Sequence, residues 1–438
     1  LNSTCPHRSS LASGNFTHRL RRRPPTLLLP YPLIRLRVSP EKRPCVDGQT
    51  QPHSPTSMGA AVSKVFDDGN LLGEIIVRVG FPTTLVCAAL VCKSWFCHIS
   101  NRKFLSRFRK LNPPGMYIGN GPTPKFVPML PQPPELAAAV RRVESHNFAP
   151  HRKLVILDCQ NGNVFTSRPE GGVLVHVVLY RPLLPESGLC ILPPLPATQG
   201  SRNIICDQIL PKEEEGGLSY LYVLAKGNYW ARNFMVRVYK LQNGVWCMHT
   251  SATEQIRPMR SNADALLVGN KIYMIGVSRD GIIVFDLTAS SISIIALPQR
   301  VSYFRISTTL SRADDASGVY LTHLHELQLH IWLHNGDNWL LVHTFCLHEM
   351  FANLGMLDHT LEDGPVGNSC ICHVGDNAEF VFFQMRGHTL YLDVKSRTLR
   401  KVHGVAGNTQ PYSKINPFMM IWPPTFPALK DDPVRNAM

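Results

Sequence analysis

The sequence predicts a multidomain protein that joins a small all-α module to a larger all-β domain. Apolar residues recur at helical spacing between positions 65 and 112. From about position 151 onward, short alternating strands are separated by polar turns. The length of 438 residues also exceeds what one ordinary hydrophobic core supports, so two or three domains are expected.

The composition is that of a folded chain. Hydrophobic residues make up 44% and charged residues 17% of the sequence. The formal net charge of +14 would favour nucleic-acid binding if it were spread over a folded surface. Half of it, however, lies in residues 1–57. The rest of the chain is only mildly basic, and nucleic acid is therefore not an expected partner.

Cysteine usage and hydropathy predict a soluble protein of the cytoplasm, the nucleus or both. Twelve cysteines at irregular spacing, without a CxxC pair, favour free thiols in a reducing compartment. No apolar run approaches the ~20 residues that cross a bilayer. The nearest run, 27–34, is interrupted by two prolines.

Residues 1–57 are rich in Arg, Pro and Ser, lack periodicity, and are expected to be disordered. Because the first methionine is Met58, we interpret them as upstream sequence translated in frame. An organelle transit peptide is the alternative, since residues 1–40 contain no acidic residue. A start at Met58 would place Gly59 in an N-myristoylation pattern, and an unmodified flexible terminus is the other interpretation.

Three short helices are expected in the segment 65–112. The apolar stripe of the first comprises Leu71, Leu72, Ile75, Ile76 and Val79. Candidate N-caps are Asp67, Asp68 or Asn70 for this helix and Thr83 or Thr84 for the second. Since about 45 residues bury little surface on their own, these apolar faces indicate a docking module covered by another polypeptide.

The residues of this segment resemble the F-box motif. The motif is carried by Leu-Leu-x-Glu-Ile-Ile at 71–76 and Ala-Ala-Leu-Val-Cys-Lys-x-Trp at 88–95. Phe-Leu-x-Arg-Phe-Arg at 104–109 and a following Pro-Pro pair make the chain most similar to a large family of grass F-box proteins. The resemblance implies binding to a Skp-type adaptor and, through it, to a cullin–RING ubiquitin ligase. It assigns adaptor contact or support to Leu71, Leu72, Ile75, Val79, Leu85, Val91, Cys92 and Trp95.

The box departs from the family pattern at its start. Val65-Phe66 replaces the usual Leu-Pro, and Gly69 and Gly73 lie inside the first helix, each costing roughly 0.5–1 kcal/mol of helix stability. Adaptor affinity is therefore expected to be weak. An unrelated three-helix bundle is the structural alternative. The basic residues of 102–110 are interpreted as a solvated helix face rather than as a membrane or nucleic-acid site.

Residues 113–150 are expected to form a Pro-rich linker with a helix at 135–143. In 151–428 a strand–turn–strand unit recurs five times, with equivalent positions at Asp158, Lys240, Asp286, Leu333 and Asp393. The middle spacings of 46 and 47 residues match one four-stranded blade, and the first, of 82, is expected to hold two blades. We predict a kelch-like β-propeller of five to seven blades, with the apolar C-terminal segment 418–427 either packing against an edge strand or closing the ring. A pair of β-sandwiches is the alternative.

No catalytic signature is found in the sequence. P-loop, GxGxxG and GxSxG motifs are missing, and the histidines of His325 to His330 are spaced by five residues rather than the four of a zinc-protease helix. His323 with His325, and Cys370 with Cys372 and His373, are metal-binding types but are interpreted as half-buried strand residues. We expect no catalytic residue, metal or cofactor.

These features together predict a substrate receptor rather than an enzyme. Loops at one propeller face would bind a target protein, while the helices bind the adaptor. Two alternatives remain open: an interaction scaffold whose degenerate box no longer binds an adaptor, and an enzyme built on the propeller.

Overall fold

A computed structural model describes much of the chain from Asp68 to Phe418. The described residues are 68–78, 82–111, 113, 115–119, 124–129, 137–145, 148, 154–160, 162–170, 173–184, 190–196, 203–214, 217–259, 263–279, 281–313, 318–356, 369–385, 387–404 and 414–418. The expected disorder of 1–57, the lipidation residue Gly59 and the adaptor residue Val79 lie outside this set and stay predictions.

Four helices precede the first strand of the described chain. They are α1 (Gly69–Val77), α2 (Pro82–Ala89), α3 (Lys93–Ile99) and α4 (Arg102–Leu111). Asp68 is the N-cap of α1, because its carboxylate accepts hydrogen bonds from the backbone N–H groups of Asn70 at 2.8 Å and Leu71 at 3.2 Å. The capping predicted for the second helix is wrong. Since α2 begins at Pro82, whose fixed φ suits the first helical position, Thr83 and Thr84 lie inside the helix.

The four helices share one apolar core. Its buried members are Leu72, Ile76, Val77, Leu85, Ala89, Phe96, Ile99, Phe104, Leu105 and Phe108. Gly73 belongs to this packing, because a Cβ at that position would lie 2.5 Å from Nε2 of His98 on α3. The glycine expected to weaken α1 therefore permits its close approach to α3.

Five consecutive four-stranded antiparallel sheets follow. Blade 1 comprises β3 (Val155–Gln160), β4 (Asn163–Glu170), β5 (Val173–Tyr180) and β6 (Cys190–Ile191). Blade 2 comprises β7 (Ile204–Glu214), β8 (Gly217–Asn228), β9 (Asn233–Gln242) and β10 (Val245–Glu254). Blade 3 comprises β11 (Asp264–Val268), β12 (Lys271–Ile275), β13 (Ile282–Asp286) and β14 (Ser291–Ile295). Blade 4 comprises β15 (Thr308–Arg312), β16 (Val319–His325), β17 (Gln328–His334) and β18 (Trp339–Cys346), and is followed by α6 (Leu347–Asn353). Blade 5 comprises β19 (Cys370–Val374), β20 (Phe380–Met385), β21 (His388–Asp393) and β22 (Thr398–Gly404).

A sixth, three-stranded blade joins the first strands of the β-domain to its last strand. It contains β1 (Gly115–Ile118), β2 (Lys125–Pro128) and β23 (Ile415–Phe418), with β23 paired antiparallel to β1. The strand β23 also contacts β19 of blade 5 and β3 of blade 1, so it closes the ring. The domain is therefore a six-bladed β-propeller, within the predicted range of blade numbers.

Two details of the sequence prediction are wrong. The segment 113–150 is not only a linker, because it supplies β1, β2 and α5 (Ala137–Glu144), whose Val140 and Val143 pack into the core beside the closing strand. The interval of 82 residues between Asp158 and Lys240 also does not contain two complete blades. The unit at Asp158 is the β3–β4 hairpin, whereas the later units are hairpins of the third and fourth strands. A half-blade offset therefore lengthens the first interval.

The alternation of strand direction gives the ring two distinct faces. Turns between first and second strands, and between third and fourth strands, lie on one face; turns between second and third strands, and the connections between blades, lie on the other. The helices lie next to the face that carries the first–second and third–fourth strand turns. The reason is that β1 starts just after α4, and its Gly115 pairs with Phe418 at the end of β23, the innermost strand of its blade. We call this face the helix-side face and the other the opposite face.

Gly281 is required by the packing of blade 3. Its φ is +159°, and a Cβ there would lie 2.1 Å from the carbonyl oxygen of Ile295 on β14. Replacing Gly281 with Ala is expected to lower the free energy of unfolding by about 2 kcal/mol or more, because the neighbouring backbone must move.

The matched control is Gly244→Ala, at a positive φ of +77° with no atom within 4 Å of the added Cβ. It is expected to cost only about 1 kcal/mol, from backbone strain alone. Urea unfolding of both variants measures the difference. Equal losses of stability would contradict the packing role of Gly281.

Candidate protein-docking surface on the helical module

Five large apolar side chains of the helical module are exposed to solvent. Leu71 and Ile75, one turn apart on α1, are each 48% exposed. Val86 on α2 is also exposed, and beyond this helix Leu90 is 79% and Val91 63% exposed. Single exposed apolar residues are ordinary on protein surfaces, but five within two short helices and one turn indicate a contact surface for another protein. We call these five residues the apolar docking surface.

The structure divides the residues that the sequence assigned to adaptor binding. Leu71, Ile75, Val91 and Cys92 are exposed and Trp95 is half-buried. Leu72 and Leu85 are at most 1% exposed and belong to the core of the four helices. These two side chains can support a docking surface but do not form part of it.

Sequence reasoning did not assign Val86 and Leu90 to the site. A signal for them was present, since the two lie four positions apart and therefore share one face of a helical turn. On α2 the buried positions are Leu85 and Ala89, which leaves the neighbouring stripe exposed. The sequence alone does not show which of two adjacent apolar stripes faces inward.

An ionic cluster connects the helices to the ring. Glu74 on α1 accepts hydrogen bonds from Arg78 at 2.7 Å, from Arg107 on α4 at 2.5 Å, and from Lys395 in the β21–β22 turn. Arg107 also donates to Glu379, at 2.8 Å, just before β20. Both Glu379 and Lys395 lie on the helix-side face of blade 5. The side chain of Glu74 therefore turns toward the ring while Leu71 and Ile75 on the same helix stay exposed.

The ionic cluster contains three cationic side chains and two carboxylates, and this arrangement shifts the pKa values of Glu74 and Arg107. Partial burial raises the pKa of Glu74, but hydrogen bonds from Arg107, Lys395 and Arg78 outweigh this effect and lower the pKa to about 2. Burial likewise opposes the charge on Arg107, while Glu74 and Glu379 raise its pKa above the usual value. The side chain of Glu74 is 32% exposed, so solvent screening limits each pair to at most about 1 kcal/mol.

The other candidate sites have ordinary structural partners. The Nδ1 atom of His323 lies 2.8 Å from the Thr308 hydroxyl, and burial lowers the pKa of this histidine to about 4. The Sγ atoms of Cys370 and Cys372 are 3.7 Å apart on β19. Within the described part of the chain, no group of three or more His, Cys, Asp or Glu side chains is arranged to hold a metal ion. Among the helices described, none has both the length and the apolar character needed to cross a membrane.

Fold and surface together define a β-propeller protein whose helices, which precede the ring, expose an apolar surface. The comparison with protein families makes the assignment more specific. Residues 155–426 match the family described as "F-box protein AT5G49610-like, beta-propeller". This match covers more than half of the chain, and the chain belongs to this family.

Other comparisons add little. No curated protein matches the sequence. Among solved structures, TolB from Acinetobacter baumannii is 9% identical with a TM-score of 0.39 over 70% of this chain and 65% of TolB, so the chain spans just under two thirds of that protein. A putative 6-phosphogluconolactonase from Bacteroides fragilis is 12% identical with a TM-score of 0.34, over 59% of this chain and 68% of that one. At these TM-scores the likenesses decide nothing about fold or function.

The ionic cluster makes the stability of the protein depend on Glu74 in a defined pH window. Because the pKa of Glu74 is lowered, its stabilising effect is present above the ordinary pKa of 4.5 and is lost as the pH falls toward 2. Glu74→Gln is expected to lower the midpoint of thermal unfolding at pH 7. The difference from the unmutated protein should shrink as the pH falls below about 4.5.

The control is Glu144→Gln on α5, an exposed glutamate, which should leave the midpoint unchanged at every pH. A difference between Glu74→Gln and the unmutated protein that stays constant from pH 7 to pH 2 would show that the charge of Glu74 is not what stabilises the protein.

Proposed function

We propose that this protein is the substrate-recruiting subunit of a cullin–RING ubiquitin ligase. In this proposal the helical module is an F-box that binds a Skp-type adaptor, and the propeller binds a target protein. Membership in a family of F-box-protein propellers supports the assignment. The observation that carries it is the exposure of Leu71, Ile75, Val86, Leu90 and Val91, because the ring leaves these side chains free for a partner.

The expected energetics are consistent with a docking role. Fully burying a Val, Leu or Ile side chain stabilises a complex by roughly 1.5–3 kcal/mol. The five residues are already partly covered, so each adds roughly 1–2 kcal/mol, with Leu90 contributing most. Association also costs several kcal/mol of lost freedom. The apolar docking surface alone therefore supports a moderate affinity, to which the partner's polar contacts would add.

The proposed role requires no bond-making chemistry from this chain. A receptor that holds a target beside a ligase raises the local concentration of the target. The ionic cluster on the helix-side face supports this role, because it restricts the orientation of the helices relative to blade 5. We place the protein in the cytoplasm or nucleus. Myristoylation at Gly59 remains a separate prediction.

The decisive experiment measures adaptor binding to the full chain by calorimetry. Leu90→Asp and Ile75→Asp are each expected to weaken binding at least tenfold, because a buried unpaired carboxylate is unfavourable in an apolar interface. The control is Leu340→Asp on β18, a leucine with a 60% exposed side chain outside the helical module, which should bind like the unmutated chain.

Absence of adaptor binding by the unmutated protein would remove the ligase role. It would leave the second candidate, an interaction scaffold with a degenerate box. The Val65-Phe66 opening, in place of Leu-Pro, is the specific observation that favours this alternative.

A further inference from the structure

Exposed arginines and aromatic residues occur together on the opposite face of blades 2 and 3. They lie in four segments: the β8–β9 turn (229–232), part of the β10–β11 connection (255–259), part of the β12–β13 turn (276–279) and part of the β14–β15 connection (299–305). All four are second–third strand turns or connections between blades. We call them together the arginine–aromatic surface.

Direct contacts join these segments into one surface. The guanidinium of Arg257 lies 5.9 Å from the ring centre of Tyr229, which in turn packs edge-on against Trp230 at 5.3 Å. The backbone N–H of Met259 donates a hydrogen bond of 2.6 Å to the carbonyl of Val277. Tyr303 packs so closely against Gly276 that a side chain at that position would meet its hydroxyl at 2.5 Å. The four segments are therefore held together as neighbours.

The arginine–aromatic surface carries an excess of positive charge. Its arginines are all exposed, and none forms an ion pair with a described residue: Arg232, Arg257, Arg279, Arg300 and Arg305. The four segments contain no Asp or Glu, but Glu254 precedes one of them, Asp280 follows another, and the charge of Asp264 acts on Tyr303. The five arginines still outnumber these carboxylates. Elsewhere on the ring arginines do pair, as Arg312 does with Asp376. The arginine–aromatic surface is therefore suited to a negatively charged partner.

The exposed aromatic side chains indicate that this partner makes apolar contacts as well as charged ones. Trp230 is 81% and Phe304 62% exposed, although water is an unfavourable environment for both rings. Trp, Tyr and Arg are the residue types that most often anchor protein–protein interfaces. A segment that binds here is expected to combine carboxylates with apolar or aromatic side chains.

Two of the arginines are also held at unfavourable backbone angles. Arg232 has φ +49° and Arg300 φ +67°, in the left-handed region. A side chain other than that of glycine is strained in this region. Glycine would satisfy either turn with less strain, so both positions should tolerate replacement by glycine.

We propose that the arginine–aromatic surface is the target-binding site and that it takes an acidic segment of a partner protein carrying aromatic or aliphatic residues. The inference rests on the proposed receptor function and specifies its target chemistry. Because the helical module lies on the helix-side face, a target held here leaves the apolar docking surface accessible. Adaptor and target therefore bind without competing for the same surface.

The test uses the full chain and a fluorescent random copolymer of glutamate and tyrosine, followed by fluorescence anisotropy. The double variant Arg232→Gly with Arg300→Gly is expected to weaken binding at least tenfold. It removes two charges while relieving backbone strain, so a folding defect is not expected, and thermal unfolding verifies this. Trp230→Ala, which keeps every charge, should weaken binding at least threefold.

The matched control is Arg397→Gly. Arg397 is also exposed and has a positive φ of +56°, but it lies in the β21–β22 turn on the helix-side face. It should change copolymer affinity less than twofold. The single variant Arg232→Gly provides the direct comparison with Arg397→Gly. The proposal would be overturned if the copolymer did not bind the unmutated chain, or if the two single variants weakened copolymer binding equally. Tighter binding of an oligothymidine than of the copolymer, lost in the double variant, would identify a nucleic-acid site instead and also overturn it.

Adaptor binding, measured on the same preparations, separates this inference from the proposed function. Leu90→Asp should lose the adaptor and retain the copolymer, whereas the arginine double variant should do the reverse. A chain that binds the copolymer but no adaptor retains the acidic-segment site and loses the ligase role.

Discussion

The pairing of β1 with β23 is the constraint on which the rest of the structure depends. It joins Gly115, just after the helices, to Phe418 at the end of the described chain. Aromatic residues from separate parts of the sequence surround the joint, with Tyr117 and Phe126 each 5.9 Å from Phe418. Without this pairing the innermost edges of blades 1 and 5 would lose the strand between them. Since β1 follows α4 closely, closing the ring also fixes where the last of the four helices ends relative to it.

The ionic cluster adds a second constraint between helices and ring. Arg107 reaches Glu379 from 272 positions away in the sequence and holds Glu74 on its other side. Each pair is partly exposed and therefore modest in energy. The apolar core of the helices buries the stripe of Leu72 and Ile76 and leaves Leu71 and Ile75 outward. The ionic cluster joins this arrangement to blade 5.

The two faces of the propeller carry different kinds of surface. The helix-side face holds paired charges and adjoins an apolar docking surface, whereas the opposite face of blades 2 and 3 holds exposed arginines and exposed aromatic rings. This separation suits a protein that joins two partners. It arises from strand alternation alone, because turns at the two ends of a blade cannot meet.

Local patterns in the sequence determined the element types, since helical and strand periodicities depend only on neighbouring residues. The stripe at 71–76 predicted α1, the turns at Asp158 and beyond predicted hairpins, and the spacing of the middle units predicted blades. Only the tertiary structure decided that Leu72 and Leu85 are buried while Leu71 and Leu90 are exposed, because adjacent stripes on a short helix look alike until packing selects one. It also decided that 115–128 belongs to the ring and that arginines from four separate turns form one surface. These arrangements depend on contacts between residues far apart in the chain, and no local periodicity encodes such contacts.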